Sequence, residues 1–372
     1  MNIVLAIDSF KGCLTSEEVE DTLASVLRAT GARVHALPMS DGGEGMLHAF
    51  IAALDGRMVE LTVHDPLMRP VRACYGLAPD GTAVIETAQA CGLTLIPPHR
   101  RNPLTASTYG VGQLVAHALK NGCRRFIIGL GGSGTSDAGV GMLRALTDAL
   151  GGDSERCPYG IDHALLARAT RGCSFVLASD VRNPLYGADG AARVFAPQKG
   201  ATPAMVDELD RRARDFALLS ARHMGYDRSL MPGAGAAGGL GYAFMQYLGA
   251  TAASGADLLL ELVHFDRLMA DADLVITGEG HADRQTLMGK LPERVLQKAL
   301  AHGVATWLIA GRADHTEALL RAGFARVESI TPPGTDLREA VRPDTARRNL
   351  RAWAFRTFGT PASAEEDTHT PA

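Results

Sequence analysis

Four short segments of the sequence combine glycines with acids, hydroxyls or lysine, and each directly follows an apolar run. They span residues 8–12, 40–45, 129–137 and 278–290. Glycine lets backbone N–H groups approach a ligand closely, and a helix start behind it adds partial positive charge, so such segments suit phosphate. One segment alone could be a helix cap or a turn, but four of them predict a shared phosphate-handling site.

Phosphoryl transfer requires cations and N–H groups for the phosphates, carboxylates for magnesium, and a group that orients or deprotonates the attacking hydroxyl. Lys11 and Lys290 could place positive charge on the phosphates. Asp180 directly follows the apolar run 174–178, where it could be the base, a metal ligand or a helix cap. The other carboxylates of the type that magnesium takes are Asp41, Glu44, Glu279 and Asp283.

The elements that must position these residues alternate between strand and helix near both ends of the chain. Residues 2–7 and 34–37 are predicted as buried strands, and each is followed by a predicted helix, the second over residues 46–54. Thr15 and Glu18 have capping-box spacing at the start of the first helix. Consecutive βα units predict a parallel sheet, and the same rhythm returns at residues 274–280 and 304–310.

Residues 57–96 have a different texture, because alternating segments are punctuated there by Asp-Pro and Pro-Asp-Gly, which predicts more antiparallel pairing. We therefore predict an α/β fold with two domains: a Rossmann-like parallel-sheet domain interrupted by a long inserted mixed α/β domain, with the active site in the cleft. The first domain comprises residues 1–64 plus 266–360, and the inserted domain comprises residues 65–265. Residues 361–372 are predicted to be a disordered tail.

Composition narrows the class of protein. Hydrophobic residues at 46%, charged residues at 21% and a net charge of -4 indicate a globular protein without the basic excess of a nucleic-acid binder. No apolar run reaches about 18 residues, and Asp8 comes too early for a secretory apolar region, so we expect no membrane span and a cytoplasmic location. The six cysteines lack C-x-x-C spacing, which predicts reduced thiols.

Residues 129–134 also match the dinucleotide pattern G-x-G-x-x-G, so a nicotinamide-dependent oxidoreductase is an alternative. That function needs an acid at the end of the next strand to hold the ribose. Asp153 has the spacing, but no apolar strand precedes it. The sequence contains no G-x-x-x-x-G-K-[ST], H-R-D or H-E-x-x-H pattern, which excludes P-loop, protein-kinase and zincin sites.

With these residues in view, the chain resembles the type I glycerate kinases over nearly its whole length. Five stretches carry the resemblance in the family's order: residues 8–12, 41–45, 128–143, 197–200 with 233–241, and 274–280. The resemblance implies an ATP- and magnesium-dependent kinase of D-glycerate, typically yielding 2-phosphoglycerate, with two α/β domains and the site in their cleft. The chain departs from the family at Ile7, where proline is usual, at residues 133–137, which usually read Ser-Ala-Thr-Asn-Asp, and at residues 281–282, which usually read Arg-Ile.

The residues and the resemblance together assign roles. The predicted catalytic residues are Asp180, Lys11 and Asp283, and the predicted magnesium ligands are Asp180, Glu279 and Asp283. The residues predicted to bind substrate or phosphate are Asp8, Ser9, Asp41, Gly42, Gly43, Glu44, Gly131, Gly132, Ser133, Gly134, Thr135, Asp137, Lys199, Gly238, Gly239, Gly278, Glu279, Gly280 and Lys290. The predicted partners are D-glycerate and ATP, without nucleic acid or membrane, and a homodimer is compatible with them. A kinase of a related hydroxy or sugar acid and a nonenzymatic nucleotide sensor stay open as alternatives.

Overall fold

The computed structural model of the chain describes residues 1–40, 42, 43 and 45–359, which form eleven strands and fifteen α-helices. The strands are β1 (Asn2–Ile7), β2 (Arg33–Ala36), β3 (Arg57–His64), β4 (Pro70–Leu77), β5 (Thr82–Glu86), β6 (Arg125–Gly129), β7 (Ser174–Ala178), β8 (Thr251–Ala253), β9 (Leu274–Ala282), β10 (Ala305–Ala313) and β11 (Arg326–Ser329). The helices are α1 (Ser16–Ala29), α2 (Met46–Ala53), α3 (Ala88–Cys91), α4 (Tyr109–Lys120), α5 (Val140–Ala149), α6 (His163–Ala169), α7 (Ala191–Phe195), α8 (Pro203–Met224), α9 (Ala236–Leu248), α10 (Gly255–Leu262), α11 (Phe265–Met269), α12 (Leu291–Ala301), α13 (Thr316–Arg321), α14 (Leu337–Ala340) and α15 (Pro343–Phe358). The predicted ligands Asp41 and Glu44 and the predicted tail 361–372 lie outside the described residues.

The described chain forms two compact units, one of which is assembled from both ends of the sequence. The first unit joins Met1–Pro38 to the residues from Asp266 onward, and the second is Met39–Phe265. In the first unit the strand order is β11-β10-β9-β1-β2, and every neighbouring pair is parallel. The predicted parallel sheet is therefore confirmed.

The local sequence explains the burial of β1 and the start of α1. Every second residue of β1, from Ile3 to Ile7, is buried in a core that also contains Leu23 of α1 and Trp353 of α15. At the start of α1, Thr15 Oγ1 accepts a hydrogen bond from the Glu18 amide, and Glu18 Oε2 accepts one from the Thr15 amide. These reciprocal bonds confirm the predicted capping box and satisfy two otherwise unpaired N–H groups at the helix start.

The second unit contains a mixed six-stranded sheet with the order β3-β4-β5-β6-β7-β8. Its first three strands pair antiparallel, whereas β5 to β8 pair parallel. Phe126 and Phe175 stack with ring centroids 4.5 Å apart on neighbouring strands, and Phe244 of α9 packs on the same core. The antiparallel pairing predicted after residue 57 is thus present in a sheet that is otherwise parallel.

The first break between the units lies after Pro38, whereas the sequence predicted it after residue 64. Helix α2 packs on β4 and β5, and β3 pairs with β4 from Arg57 opposite Leu77 to His64 opposite Pro70. Because these contacts attach α2 and β3 to the second sheet, residues 39–64 belong with the second unit. The chain returns to the first unit after Phe265.

Two observations bear on the cellular setting. Among the described residues, no helix is both long enough and apolar enough to cross a membrane. All six cysteines are free thiols, and Cys91 and Cys123 are buried.

A buried carboxyl group lies under the end of β1. Glu20 of α1 is 1% exposed, and its Oε1 accepts a hydrogen bond of 2.9 Å from the amide of Ile7. Its other oxygen, Oε2, makes no hydrogen bond within the described part of the chain. Burial raises the pKa of the Glu20 carboxyl well above its usual value, since the charged form loses its hydration there.

The raised pKa of Glu20 predicts a stability that depends on pH. The folded state holds the proton more tightly than the unfolded chain, so this stabilising contribution is complete below the unfolded pKa and is lost as pH rises toward the folded pKa. From about pH 5.5 to about pH 8, the free energy of unfolding of wild type should fall relative to Glu20→Gln by more than about 1 kcal/mol. Urea denaturation at both pH values measures this difference.

The matched control is Glu317→Gln, because the Glu317 side chain is 88% exposed and its ion pair with Arg321 is solvated. Its free energy of unfolding should stay within about 0.5 kcal/mol of wild type at both pH values. If Glu20→Gln shows the same flat difference as this control, the Glu20 carboxyl does not titrate with folding as described.

Candidate functional site

The segments predicted to handle phosphate in the second unit leave the sheet at the same edge. Glu86 at the end of β5 is opposite Gly129 at the end of β6, and Gly129 is opposite Ala178 at the end of β7. The three strands are parallel, so the residues that follow them are neighbours. Ligands of α/β proteins collect at this carboxyl edge.

The loop after β6 presents unused backbone donors. No hydrogen bond within the described residues uses the amides of Gly131, Gly132 or Ser133. Gly132 is exposed and has a φ of +71°, a left-handed conformation that glycine adopts without strain. Successive amides that point away from other acceptors form a concave site for an anion. The predicted anion-binding loop therefore has the donors that such a site requires.

The loop before α2 packs against this segment, backbone to backbone. A Cβ atom on Gly131 would lie 2.6 Å from Gly43 Cα, and one on Gly42 would lie 2.8 Å from the carbonyl oxygen of Ala178. Both distances are too short for a side chain, so glycine is required at these two positions. The structure thus brings Gly42, Gly43 and Gly131 together beside the end of β7, as the predicted site requires.

Asp137 organises the far end of the loop. Its carboxylate accepts hydrogen bonds from the amide and the hydroxyl of Thr108 at 2.8 and 2.9 Å, and from the amides of Gly139 and Gly141 at 3.1 Å each. These donors belong to the starts of α4 and α5, so Asp137 joins two helices to the loop. The structure gives it an internal role in place of the predicted contact with substrate or phosphate.

Lys199 also points into the protein. The residue is 2% exposed, and its Nζ donates to Ser133 Oγ at 3.0 Å and to the carbonyl oxygen of Thr135 at 2.6 Å. Burial lowers the pKa of this ammonium to about 8, because the charged form loses hydration. Lys199 therefore supports the loop from beneath, which differs from the predicted direct contact with phosphate.

The second glycine-rich stretch is not an open loop. Helix α9 begins inside it, and Ala237, Gly238 and Gly239 have left-handed backbone angles. A Cβ atom on Gly238 would lie 2.1 Å from the carbonyl oxygen of Thr135, and the Gly238 carbonyl accepts a hydrogen bond from the Ala138 amide. Gly238 and Gly239 are buried, so they serve close packing against the loop after β6 rather than presenting amides to a ligand.

Asp180 stands at the exposed side of the same edge, two residues beyond the end of β7. The backbone before it is fixed, because the Ser179 amide donates to the Ala253 carbonyl oxygen. Ser179 Oγ accepts a hydrogen bond from the Val181 amide on its other side. An exposed carboxylate on a short, anchored turn can reach a bound ligand, as a catalytic base must.

In the first unit, the segments after β1 and within β9 meet. The Asp8 amide donates to the carbonyl oxygen of Gly278 at 2.9 Å, and a Cβ atom on Gly280 would lie 3.4 Å from the Lys11 amide nitrogen. Asp8 is buried, whereas Lys11 is exposed. Ser9 Oγ is buried without a hydrogen-bond partner in the described residues. The predicted residues of this unit therefore form a second cluster at a strand end.

Glu279 is held by its own unit. Its Oε1 accepts from Thr286 Oγ1 at 2.6 Å, and its Oε2 accepts from Lys290 Nζ at 2.9 Å. Asp283 caps the short 3₁₀ helix Arg284–Leu287, because its Oδ1 accepts from the Gln285 amide at 2.7 Å. Each oxygen of Glu279 therefore already accepts one hydrogen bond within its own unit.

The predicted magnesium ligands differ in how well their surroundings would allow contact with a magnesium ion. Among the described residues, no group of three or more His, Cys, Asp or Glu side chains could hold a metal ion by itself. Magnesium in phosphoryl-transfer enzymes is often held by one or two carboxylates together with substrate phosphates. Asp180 fits such a partial site because it is exposed, and Asp283 is partly exposed but already caps a short helix.

Two polar residues at the end of β5 were not among the predicted site residues. Glu86 is 5% exposed, and its Oε2 accepts from the Leu47 amide at the start of α2. Thr87 donates through both its amide and its hydroxyl to the carbonyl oxygen of Gly129. The available signal was a Glu-Thr pair directly after the buried run 83–85. The alternating pattern of residues 57–96 predicted antiparallel pairing there, whereas β5 ends parallel to β6.

The described residues form an α/β protein in which amides that no described residue uses lie at a strand edge with an exposed carboxylate, as expected of a phosphotransferase. The chain belongs to the glycerate kinase family, whose model matches residues 3–360. The resemblance predicted from five stretches of sequence is confirmed, and the protein is an enzyme of the kinase class.

Similar proteins cover nearly the whole chain. Glycerate kinase of Bacillus subtilis is 42% identical over 91% of this chain and 93% of its own length. Glycerate 2-kinase of Escherichia coli is 38% identical over 92% of this chain and 93% of its own. A crystal structure from Salmonella typhimurium LT2, assigned as a glycerate kinase 2, is 37% identical, covers 96% of this chain and 97% of its own, and has a TM-score of 0.81.

Proposed function

We propose that the protein transfers the γ-phosphoryl group of ATP to the 2-hydroxyl of D-glycerate and releases ADP and 2-phosphoglycerate. The observation that carries this proposal is the row of amides at Gly131, Gly132 and Ser133 that no described residue uses, with exposed Asp180 at the next strand end. Membership of the glycerate kinase family supports the substrate, and the relative named glycerate 2-kinase supports the position of the phosphate.

Each of these residues has a role that phosphoryl transfer requires. The loop amides donate to anionic oxygens, and Lys11 and Lys290 add positive charge near phosphates. Asp180 accepts the proton of the attacking hydroxyl of the substrate. The hydroxyl oxygen then bonds to the γ-phosphorus of ATP, and the bond from that phosphorus to the ADP oxygen breaks. When bound, magnesium neutralises phosphate charge, and Asp180 or Asp283 would hold it. If Asp180 is that ligand, Asp283 is the alternative base.

The deciding experiment mixes the protein with ATP, magnesium and D-glycerate, follows ADP release by a coupled assay and identifies the product by NMR. ADP release with 2-phosphoglycerate as product is the expected result. ADP release with another acid from a panel of small hydroxy and sugar acids, but not with D-glycerate, would identify a different substrate for the same phosphoryl transfer. ATP binding without ADP release for any acid would indicate a nucleotide sensor instead.

The oxidoreductase alternative needs its own readout. Thermal stabilisation by NAD, with none by ATP and magnesium, would favour it, because a ligand that binds only the folded state raises its stability. The structure offers this alternative little support, since Asp153 caps the short 3₁₀ helix Ser154–Arg156 rather than ending a strand. The predicted cleft, the homodimer and the cytoplasmic location stay predictions from the sequence.

A further inference from the structure

We propose that Ser133 donates a hydrogen bond to an anionic oxygen of a substrate, and that buried Lys199 is a positioning residue that fixes the direction of the Ser133 hydroxyl proton. The inference rests on the proposed function and deepens it. It replaces a predicted phosphate-binding lysine with a lysine that acts through Ser133, a loop residue that is itself only 9% exposed.

The geometry of the contact sets the direction of the proton. Lys199 Nζ lies 3.0 Å from Ser133 Oγ, and an ammonium group has donors but no acceptor. Ser133 Oγ must therefore accept this hydrogen bond, and its own proton must point away from Lys199. Within the described residues nothing accepts that proton. Ser133 is thus prepared as a donor next to the unused amides of Gly131 and Gly132.

The groups around Lys199 decide when this arrangement holds. Its ammonium interacts with Cys91 and Asp137, and Arg101 packs against the adjacent Gly200. Burial raises the pKa of the Cys91 thiol to about 12, so the thiol is neutral across the working range. Asp137 holds its carboxylate among backbone donors and adds negative charge that favours the ammonium. The pKa of Lys199 remains lowered to about 8, because loss of hydration outweighs these interactions.

Deprotonation of Lys199 allows its hydrogen bond with Ser133 to reverse. A neutral amine has a lone pair and can accept from Ser133, whereas the ammonium cannot. Above about pH 8 the Ser133 proton can therefore turn toward Lys199, which then competes with the substrate for this donor. The anionic oxygen that receives this donor belongs to the glycerate carboxylate or to a nucleotide phosphate, and the two are separated by testing each ligand alone.

Isothermal titration with ATP alone and with D-glycerate alone measures the effect. Near pH 7, Ser133→Ala should weaken binding of one of the two ligands by about tenfold or more, since a hydrogen bond to a charged group is lost. Near pH 9.5, wild type should bind that ligand more weakly than it does near pH 7, whereas Ser133→Ala should not show this change. The control is Ser174→Ala, because Ser174 is exposed at the start of β7 and should leave both affinities unchanged.

Lys199→Met tests the positioning role. Near pH 7 the folded variant should lose part of the affinity that Ser133→Ala loses, because the hydroxyl remains but its proton is no longer oriented. It should show no pH dependence of its own and add no further loss when combined with Ser133→Ala. Where Lys199→Met does not fold, NMR titration of the lysine side chains in wild type takes its place. One lysine should titrate near pH 8, and it should disappear from the spectrum of Lys199→Arg.

The outcomes separate this inference from the proposed function. Equal binding of both ligands by wild type and Ser133→Ala, absence of binding in both, or a Lys199 pKa near 10 overturns the inference. If Ser133→Ala weakens ATP binding while wild type releases no ADP with D-glycerate, the proposed function fails and the inference stands. If ADP is released normally but neither affinity depends on Ser133, the proposed function stands and the inference fails.

Discussion

Replacing Asp180 by asparagine should lower kcat for ADP release with D-glycerate by about 10²- to 10⁴-fold, while KM changes by only a few-fold. The variant keeps the size of the side chain and the anchored turn between Ser179 and Val181, but it cannot accept a proton. Steady-state kinetics by the coupled ADP assay measures both constants. A loss in kcat without a matching rise in KM places the role of Asp180 in the transition state.

The matched control for Asp180 lies nine residues further along the same connection. Asp189 is exposed, and its backbone carbonyl, not its side chain, accepts from Asn183. Asp189→Asn should therefore leave kcat unchanged. If Asp180→Asn keeps kcat within about twofold of wild type at an unchanged melting temperature, Asp180 is neither the base nor a required metal ligand, and Asp283 becomes the candidate.

Replacing Asp137 by alanine should lower the free energy of unfolding by more than about 3 kcal/mol. The substitution leaves the amides of Thr108, Gly139 and Gly141 without the carboxylate that now accepts from them. It also frees the Thr108 hydroxyl, which accepts from the Met142 amide in α5. Each buried donor left unpaired costs about 1 to 3 kcal/mol, so the losses accumulate at one position. Urea denaturation measures the change.

Asp153→Ala serves as the control for this stability prediction. Asp153 also accepts a hydrogen bond from a backbone amide, but it does so at the exposed start of a short 3₁₀ helix. The expected loss there is about 1 kcal/mol, as for an exposed cap. Should Asp137→Ala cost no more than Asp153→Ala, the carboxylate of Asp137 is not what holds α4, α5 and the loop together.

The sequence predicted the elements around the site well, because buried parallel strands leave continuous apolar runs and helices leave caps. β1, β7 and β9 and the capping box of Thr15 and Glu18 all have such local signals. The partner of a polar side chain has no local signal. Lys199 and Ser133 are separated by 66 residues, so no local pattern indicates that the lysine supports the loop.

Residue type alone does not show whether a carboxylate contacts a ligand or holds elements of the fold together. Asp137 follows a glycine loop, which favours a ligand contact, yet its carboxylate accepts hydrogen bonds from the starts of α4 and α5. Gly134 replaces the alanine usual in the family, and the structure gives a physical reason. A Cβ atom there would lie 2.8 Å from Ile96 Cδ1 and 2.9 Å from Leu93 Cα, so the segment after α3 packs directly on the loop.

The assembly of the first unit from both ends of the chain has a consequence for folding during synthesis. β1 forms its central pairing with β9, and Thr277 Oγ1 donates to the Ala6 carbonyl oxygen across 271 residues. A nascent chain therefore carries the β1–β2 pair without β9 while the whole continuous second unit emerges from the ribosome. Because such distant pairing is slow and leaves strand edges exposed, we expect the second unit to fold first and the first unit to require chaperone protection.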